Sequence, residues 1–516
     1  MAVLTALYVL TALLLAIYAF NAWVLTALFW RHRQDSPPPA PPFQGEGHGG
    51  VGGEFPTVTV QLPIFNEALV IERLVEAAVG LDYPQGRLEI QILDDSTDET
   101  TDIALAQVEY YRQQGYNISL KHRYDRSGFK AGALKQGLDQ AGGEFIAIFD
   151  ADFTPEPDFL QQTIPYFLAN ERLGFVQTRW GHLNRSYSRL TAAQALALDG
   201  HFAVEQTARN RAGLLMNFNG TAGVWRRACI ESSGHWQGDT ISEDFDLSYR
   251  AQLAGWECLF LPHVVAPAEI PPQLAAFKRQ QFRWAKGSIQ CLKKLGGPVL
   301  RSPLSGWVKL QALIHLSSYL VHPLMVILAV IVPIMMMTGG TDKIRFPLIY
   351  LSLVSLGPPL LYAVAQIWLY PTRWRRHYKA MALLILLGSG VALSNTKAVI
   401  EALLGVGNVF RRTPKFKVTS AADRWQESSY RLPLDGLVLG ELALSLHSLL
   451  GAWLAATSGH LFAVPFILLY AFGFGYVGLQ GLWDGRLELR HWLKTRFQSA
   501  ARRSEAGRRK PVRAGR

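Results

Sequence analysis

Residues 144–152 read EFIAIFDAD: an unbroken apolar run from Phe145 to Phe149, then two aspartates one residue apart, Asp150 and Asp152. A short apolar run bounded by turn residues is the pattern of a strand buried on both faces. A helical pattern follows near 156–168. Three more strand–helix units lie upstream. Residues 57–65 (TVTVQLPIF) precede a helix that starts near Glu67, 88–95 (LEIQILDD) precede one near 98–114, and 119–124 (SLKHRY) precede one near 130–140. Strands that alternate with helices predict an α/β domain with a parallel sheet covered on both faces. Such sheets bind ligands at the carboxyl ends of their strands. The acids gather there, Asp94 and Asp95 ending one strand and Asp150 and Asp152 another. The first strand ends Pro63-Ile64-Phe65-Asn66-Glu67. No G-x-G-x-x-G follows it and no Walker lysine loop occurs, so the motifs exclude a dehydrogenase and a P-loop NTPase.

The rest of the chain is built for a membrane. Of 516 residues 49% are hydrophobic and 18% charged, and the mean hydropathy is +0.11. A soluble domain carries about 25% charged residues. Residues 3–30 are uncharged and apolar and run into Arg31, His32 and Arg33. A span needs about 20 residues, so 1–34 is expected to be an uncleaved span. Its basic flank puts the N-terminus outside and the following chain in the cytosol. Residues 35–54 (DSPPPAPPFQGEGHGGVGGE) form a Pro/Gly linker, and 55–300 form the soluble domain. Region 301–483 is expected to hold four spans, at about 317–338, 346–370, 434–457 and 460–483, giving an α-helical bundle of about five in all. Segments 306–316 and 380–405 are expected to be interfacial or re-entrant. If 380–405 crossed, Arg411, Arg412, Lys415 and Lys417 would fall outside, against the positive-inside rule. Glu441 and His447 lie within an expected span, where they either face a water-filled channel or pair with neighbours.

The net charge of +11 is concentrated in 484–516, with 11 basic and 3 acidic residues. That region is expected to be a disordered, solvated cytosolic tail carrying positive-inside charge, with binding to anionic membrane lipid as the sharper alternative. No recognition motif accompanies the charge, which argues against a nucleic-acid partner. Three cysteines, Cys229, Cys258 and Cys291, exclude a disulfide scaffold and a structural zinc site.

Two further motifs complete a series. Ser242-Glu243-Asp244 opens a helical pattern, and Gln280-Gln281-Phe282-Arg283-Trp284 contains Q-x-x-R-W. An acidic pair, D-x-D, an acidic triplet and Q-x-x-R-W, in that order and between spans, resemble the processive, inverting glycosyltransferases of family two: the cellulose, mannan and hyaluronan synthases. The phrases QLPIFNE (61–67), LDDSTD (93–98), KAGAL (130–134), HFAVEQ (201–206) and FNGTAGVWR (218–226) look closest to cellulose synthase-like A and C enzymes and bacterial cellulose synthase. The resemblance covers about residues 55–300. Ser242 stands where the family has Thr. RRTPKFKVTS (411–420) is similar to a gating loop, F-x-V-T-x-K, but Ala421 replaces its lysine.

Transfer of a sugar from a nucleotide diphosphate needs a neutralised leaving group and a deprotonated acceptor hydroxyl. Asp150 and Asp152 suit a hard cation, Mg2+ or Mn2+, that keeps positions open for diphosphate. Lys130, at a helix start, and Arg283, supported by Gln280, are expected to meet the diphosphate. The resemblance implies a glycosyltransferase A-like fold, Asp244 as general base, and Asp94 and Asp95 at the nucleobase or ribose. It also implies Trp284 as a stacking platform for the acceptor, with Asn219, Gly220 and Thr221 beside it. Asp244 is expected to stay ionised at a helix N-terminus, at some loss of basicity. Phe65, Phe149 and Phe175 are expected in the core. The implied activity is elongation of a β-glucan or β-mannan at a bacterial-type plasma membrane, with export through the spans. UDP-glucose is the favoured donor and GDP-mannose the alternative. Two rivals remain, single transfer to a membrane lipid and a transporter or channel with a nucleotide-binding domain. The uncharged spans 317–338 and 346–370 speak against the second.

Overall fold

A computed structural model of the chain describes residues 2–35, 55–338, 353–407, 409–420 and 422–508. Nearly all of the expected linker, part of the span expected at 346–370, and Ala421 lie outside the described residues. The soluble domain holds one seven-stranded sheet in the order β3-β2-β1-β4-β6-β5-β7. Strands β1 (Val58–Ile64), β2 (Leu88–Asp94), β3 (Ile118–His122) and β4 (Phe145–Ile148) are those expected, and they pair in parallel. Val58, Val60, Leu62, Ile90, Ile92, Phe145 and Ala147 are buried, as double-covered strands require. Each such large apolar side chain contributes about 1.5–3 kcal/mol. Phe149 and Phe175 are fully buried. Phe65 is only partly so, with the Arg126 guanidinium 3.4 Å over its ring.

The sheet is mixed rather than purely parallel. β5 (Leu173–His182), β6 (Gly223–Arg226) and β7 (Glu257–Ala268) extend it, and β6 runs antiparallel to both β4 and β5. These strands escape a periodicity reading. β6 has four residues, β5 is broken by Arg179 and Gly181, and β7 contains Pro262, His263 and Pro267.

Four described helices are long and apolar enough to cross a membrane: Ala2–His32, Ser318–Met337, Val438–Thr457 and Val464–Arg486. Helix Gly357–Leu369, in the span expected at 346–370, packs on the first of these. A Cβ on Gly357 would stand 2.3 Å from the Ala19 carbonyl oxygen. Trp374–Gly390 and Ala392–Leu404 meet at a bend of 42°, the form a re-entrant or broken helix takes. The chain beyond them returns to the soluble domain. Within the bundle Glu441 is fully buried and paired with Lys278 Nζ at 2.6 Å, and Lys278 also meets Asp435 at 2.9 Å. His447 Nε2 lies 2.9 Å from the Val330 carbonyl oxygen. Of the two readings of these residues, pairing with neighbours is the one observed.

One expectation fails here. The tail from Asp484 does not begin as loose chain, because helix Val464–Arg508 runs on through it. No proline lies between Pro465 and Pro511 to stop it, and alanine and long-chain basic residues favour helix.

The basic flanks and the bundle order generate a topology test. A cysteine at exposed Glu109 should react with an impermeant reagent only after cells are opened. One at exposed Leu461, in the turn between the last two apolar helices, should react in intact cells. Labelling of Glu109→Cys from outside would overturn the orientation.

Candidate active site

The site forms where the parallel strands end. Helix Phe129–Asp139 starts after Gly128, whose φ of +69° a side chain would oppose. That turn aims Lys130 across the end of β4. Its Nζ donates to Asp150 Oδ1 at 2.6 Å and to the Gly220 carbonyl at 2.8 Å, and lies 3.9 Å from Glu243 Oε1. The Asp150 backbone N–H donates to Thr221 Oγ1 at 2.8 Å. Gly220 has φ +83°, and a Cβ there would come within 2.8 Å of Asp244 Oδ2. Only glycine lets the 218–221 turn sit between Lys130 and Asp244. Thus Lys130, Asp150, Gly220, Thr221 and Asp244 are brought together.

Asp244 lies in the first turn of helix Glu243–Leu253 and accepts a hydrogen bond from the Phe245 N–H at 2.8 Å. The helix end does not decide its ionisation. Burial raises the Asp244 pKa, with Lys130 opposing, and burial followed by the Asp244 charge pushes Glu243 up to about 7. The expectation of reduced basicity is therefore corrected: desolvation outweighs the helix dipole, and a raised carboxylate is the stronger base. Lys130 keeps a raised pKa because Asp150 and Glu243 overcome its own burial.

Gln280, Arg283 and Trp284 stand on helix Leu274–Arg301 and are all partly buried. Gln280, Trp284, Gly287 and Cys291 recur at helical spacing and share one face. That face is registered on the acidic triplet. Gln290 Oε1 accepts from the Ile241 N–H at 2.9 Å, and Cys291 Sγ lies 3.6 Å from the Ser242 carbonyl. A Cβ on Gly287 would stand 2.0 Å from Ser242 Oγ. The Arg283 guanidinium sits 4.8 Å from the Phe410 ring centroid.

Other residues are placed differently. Asp94 is fully buried and committed to the turn, accepting from the Ser96 N–H at 2.8 Å and Thr101 Oγ1 at 2.6 Å, with His122 Nδ1 at 2.8 Å. Asp95 is gripped by Arg123 through two hydrogen bonds of 2.7 and 2.6 Å. The structure does not bring Asp94 to an open surface. Asn219 is partly exposed on the turn before Gly220.

Sequence reasoning missed a further ring of charge around the site. Segment 410–419 lies across it: Lys415 Nζ donates to Asp152 Oδ2 at 2.7 Å and Arg412 pairs with Glu67 at 3.1 Å. The Phe416 N–H donates to Glu269 Oε1 at 2.8 Å. Burial pushes Glu67 up to about 8, against Arg412 and Lys415, and Glu269 up to about 7. The only signal for Lys415 was its place in the gating-loop-like phrase. Glu269 had none.

The aspartate pair fits a divalent cation. Asp152 Oδ1 is buried without a hydrogen-bond partner, and the Asp150 side chain is 37% exposed. Among the described residues no cluster of three or more His, Cys, Asp or Glu forms a complete cage. Two carboxylates with spare oxygens suit a cation that takes its other ligands from diphosphate and water.

The Gly287 contact yields a test. Gly287→Ala should cut turnover at least about tenfold, roughly 1.4 kcal/mol, by driving the Q-x-x-R-W helix off Ser242. Ser242→Gly in the same chain should recover part of it. Unchanged turnover in Gly287→Ala, measured as sugar released from donor into product, would refute the registration.

The family model described as "Glycosyltransferase like family 2" matches residues 56–287. Glucomannan 4-beta-mannosyltransferase 1 of Oryza sativa subsp. japonica is 33% identical over 450 residues, 82% of this chain and 83% of that protein. Glucomannan 4-beta-mannosyltransferase 2 of Arabidopsis thaliana is 41% identical over 284 residues, 54% of this chain and 53% of its own length. Among solved structures, the mannosyltransferase PcManGT from Pyrobaculum calidifontis, in complex with GDP-Man and Mn2+, aligns with a TM-score of 0.50 at 21% identity. It covers 78% of this chain and 100% of that one, and shows the shared fold. Strand-end acids gathered round one lysine, on a fold and a sequence shared with these enzymes, place this chain in family two of the glycosyltransferases, among the cellulose synthase-like enzymes.

Proposed function

We propose that the protein is a membrane-embedded, inverting β-mannosyltransferase that elongates a mannan or glucomannan from GDP-mannose. The observation that carries this reading is the reach of the likeness. Identity to a glucomannan mannosyltransferase extends over 450 residues, well past the catalytic domain into the membrane helices. The relatives support a nucleotide-sugar donor and a polysaccharide product, and their names favour mannose over the UDP-glucose expected from sequence. The bundle beside the site supports export of the chain through the spans. The catalytic domain faces the cytosol.

In this reading the acceptor hydroxyl oxygen attacks the anomeric carbon from the face opposite the diphosphate. The new C–O bond forms as the bond to diphosphate breaks, and the hydroxyl proton passes to Asp244. Burial has already made that carboxylate more basic. Lys130, at the start of its helix, and Arg283 supply positive charge to the departing diphosphate. Asp150 and Asp152 would hold a divalent cation, which would supply Lewis-acid stabilisation to the same group. Gly220 and Thr221 set the floor of the acceptor side, and Trp284 offers its ring to the terminal sugar. Gln280 steadies the Arg283 face of the helix. Asp95, through Arg123, borders the nucleoside side.

Purified enzyme in nanodiscs, offered labelled GDP-mannose and UDP-glucose with Mn2+, should make a polymer from the first that an endo-β-mannanase digests. A product limited to a monoglycosylated lipid would establish the lipid-acceptor rival instead. In the same assay Asp244→Asn should lose on the order of 10²–10⁴ in rate. Its donor affinity should change by less than about tenfold. Normal turnover in that variant would remove Asp244 from the role of base.

A further inference from the structure

The phrase HFAVEQ (201–206) takes no part in the chemistry above, yet its backbone is unusual. Between helices Arg189–Asp199 and Thr207–Arg211, residues Gly200–Gln206 form a π-helix. Such wide turns are rare and concentrate at functional sites. Gly200 rests on the helix Gly357–Leu369, where a Cβ would stand 2.4 Å from the Tyr362 ring. The turn directs His201 and Gln206 toward Asn217–Thr221, the loop beside Asp244, with Glu205 behind His201.

Their hydrogen bonds can be read in one direction only. The Asn217 carbonyl can only accept, so Gln206 Nε2, at 2.9 Å, donates to it. The same amide nitrogen donates to Asn219 Oδ1 at 2.6 Å. The other end of the Asn219 amide is then Nδ2, a donor, and it faces His201 Nε2 at 2.9 Å. His201 Nε2 must accept, so the imidazole is neutral with its proton on Nδ1. Nδ1 in turn lies 3.0 Å from Glu205 Oε2, a carboxylate that receives that proton's hydrogen bond. Glu205 is itself held by Arg209 Nε at 2.9 Å, on a side chain that is 1% exposed. The Asn219 N–H is fixed from the far side by Gln177 Oε1 at 2.7 Å.

We propose that His201, locked by Glu205 as its Nδ1–H tautomer, is a positioning residue that fixes the amide of Asn219 for the sugar acceptor. With one bond to Oδ1 and one at Nδ2, the fixed amide keeps one N–H and one oxygen lone pair to offer. That donor–acceptor pair matches two adjacent hydroxyls of a pyranose. The inference rests on the polysaccharide-elongating reading. Protonation of His201 would turn Nε2 into a donor aimed at another donor, and the amide would lose its hold. The charged and titratable groups that face this unit are Arg209 on its own segment, Tyr249, His315, Tyr319 and Tyr362.

The test uses the full-length enzyme in nanodiscs, saturating GDP-mannose, and soluble β-mannan oligosaccharide as varied acceptor. His201→Lys can only donate, and its acceptor KM should rise at least about tenfold while the donor KM stays within roughly threefold. His201→Gln offers an oxygen to Asn219 and an N–H to Glu205, so its acceptor KM should stay near wild type. An unchanged acceptor KM in His201→Lys would overturn the inference, as would a His201→Gln variant as impaired as His201→Lys. If the wild type elongates no offered oligosaccharide, the polysaccharide reading itself fails, and this inference with it.

Discussion

One buried ammonium holds the site together. Lys130 bonds Asp150 and the Gly220 carbonyl and lies within 3.9 Å of Glu243, so it joins segments up to 113 residues apart in the chain. Each buried ion carries a desolvation penalty of several kcal/mol, and pairing is what offsets it. Asp150, Glu243 and Asp244 would otherwise repel one another in a space with little water. With Lys130 present they can stand close enough to serve one reaction. Gly220 is the steric counterpart of that electrostatic condition, since a side chain there would enter the Asp244 carboxylate.

A second cation sits on the other aspartate. Lys415 reaches Asp152 from a segment 263 residues away, while Arg412 and the Phe416 N–H engage Glu67 and Glu269. The segment between the bent helices and the last two apolar helices thus belongs electrostatically to the catalytic domain. The π-helix touches the Tyr362 helix through Gly200 and the Asn219 loop through Gln206 and His201. Both routes tie helices outside the sheet domain to the loops around Lys130 and Asp152. A lever that acts on those helices has a direct physical path to Asn219 and Asp152.

The fold was legible wherever the signal was local. An apolar run that stops at an aspartate marks the ends of β2 and β4, and the alternation of strand and helix patterns gives β1 and β3. β5 and β7 were not legible, because polar and proline residues interrupt strands that tertiary pairing still holds. The motif residues Lys130, Asp150, Gly220, Thr221 and Asp244 were legible as a set, and the structure shows why they form one: they all touch a single turn. Asp94 reads in sequence as a ligand acid, but its oxygens are spent on Ser96, Thr101 and His122. Glu269 and Lys415 act through contacts that no sequence spacing encodes. The ionisation of Asp244 was misjudged because burial, which outweighs the helix dipole there, is invisible before the fold is known.

The claim that Lys130 is the keystone is tested most directly by a double-mutant cycle on the thermal midpoint of the detergent-solubilised enzyme. Lys130→Met alone should lower the midpoint sharply, because it leaves the part-exposed Asp150 and the buried Glu243 without their shared cation. Asp150→Asn added to Lys130→Met should restore part of the loss, a coupling of about 0.5–3 kcal/mol. Additive losses, with no recovery in the double variant, would contradict the account.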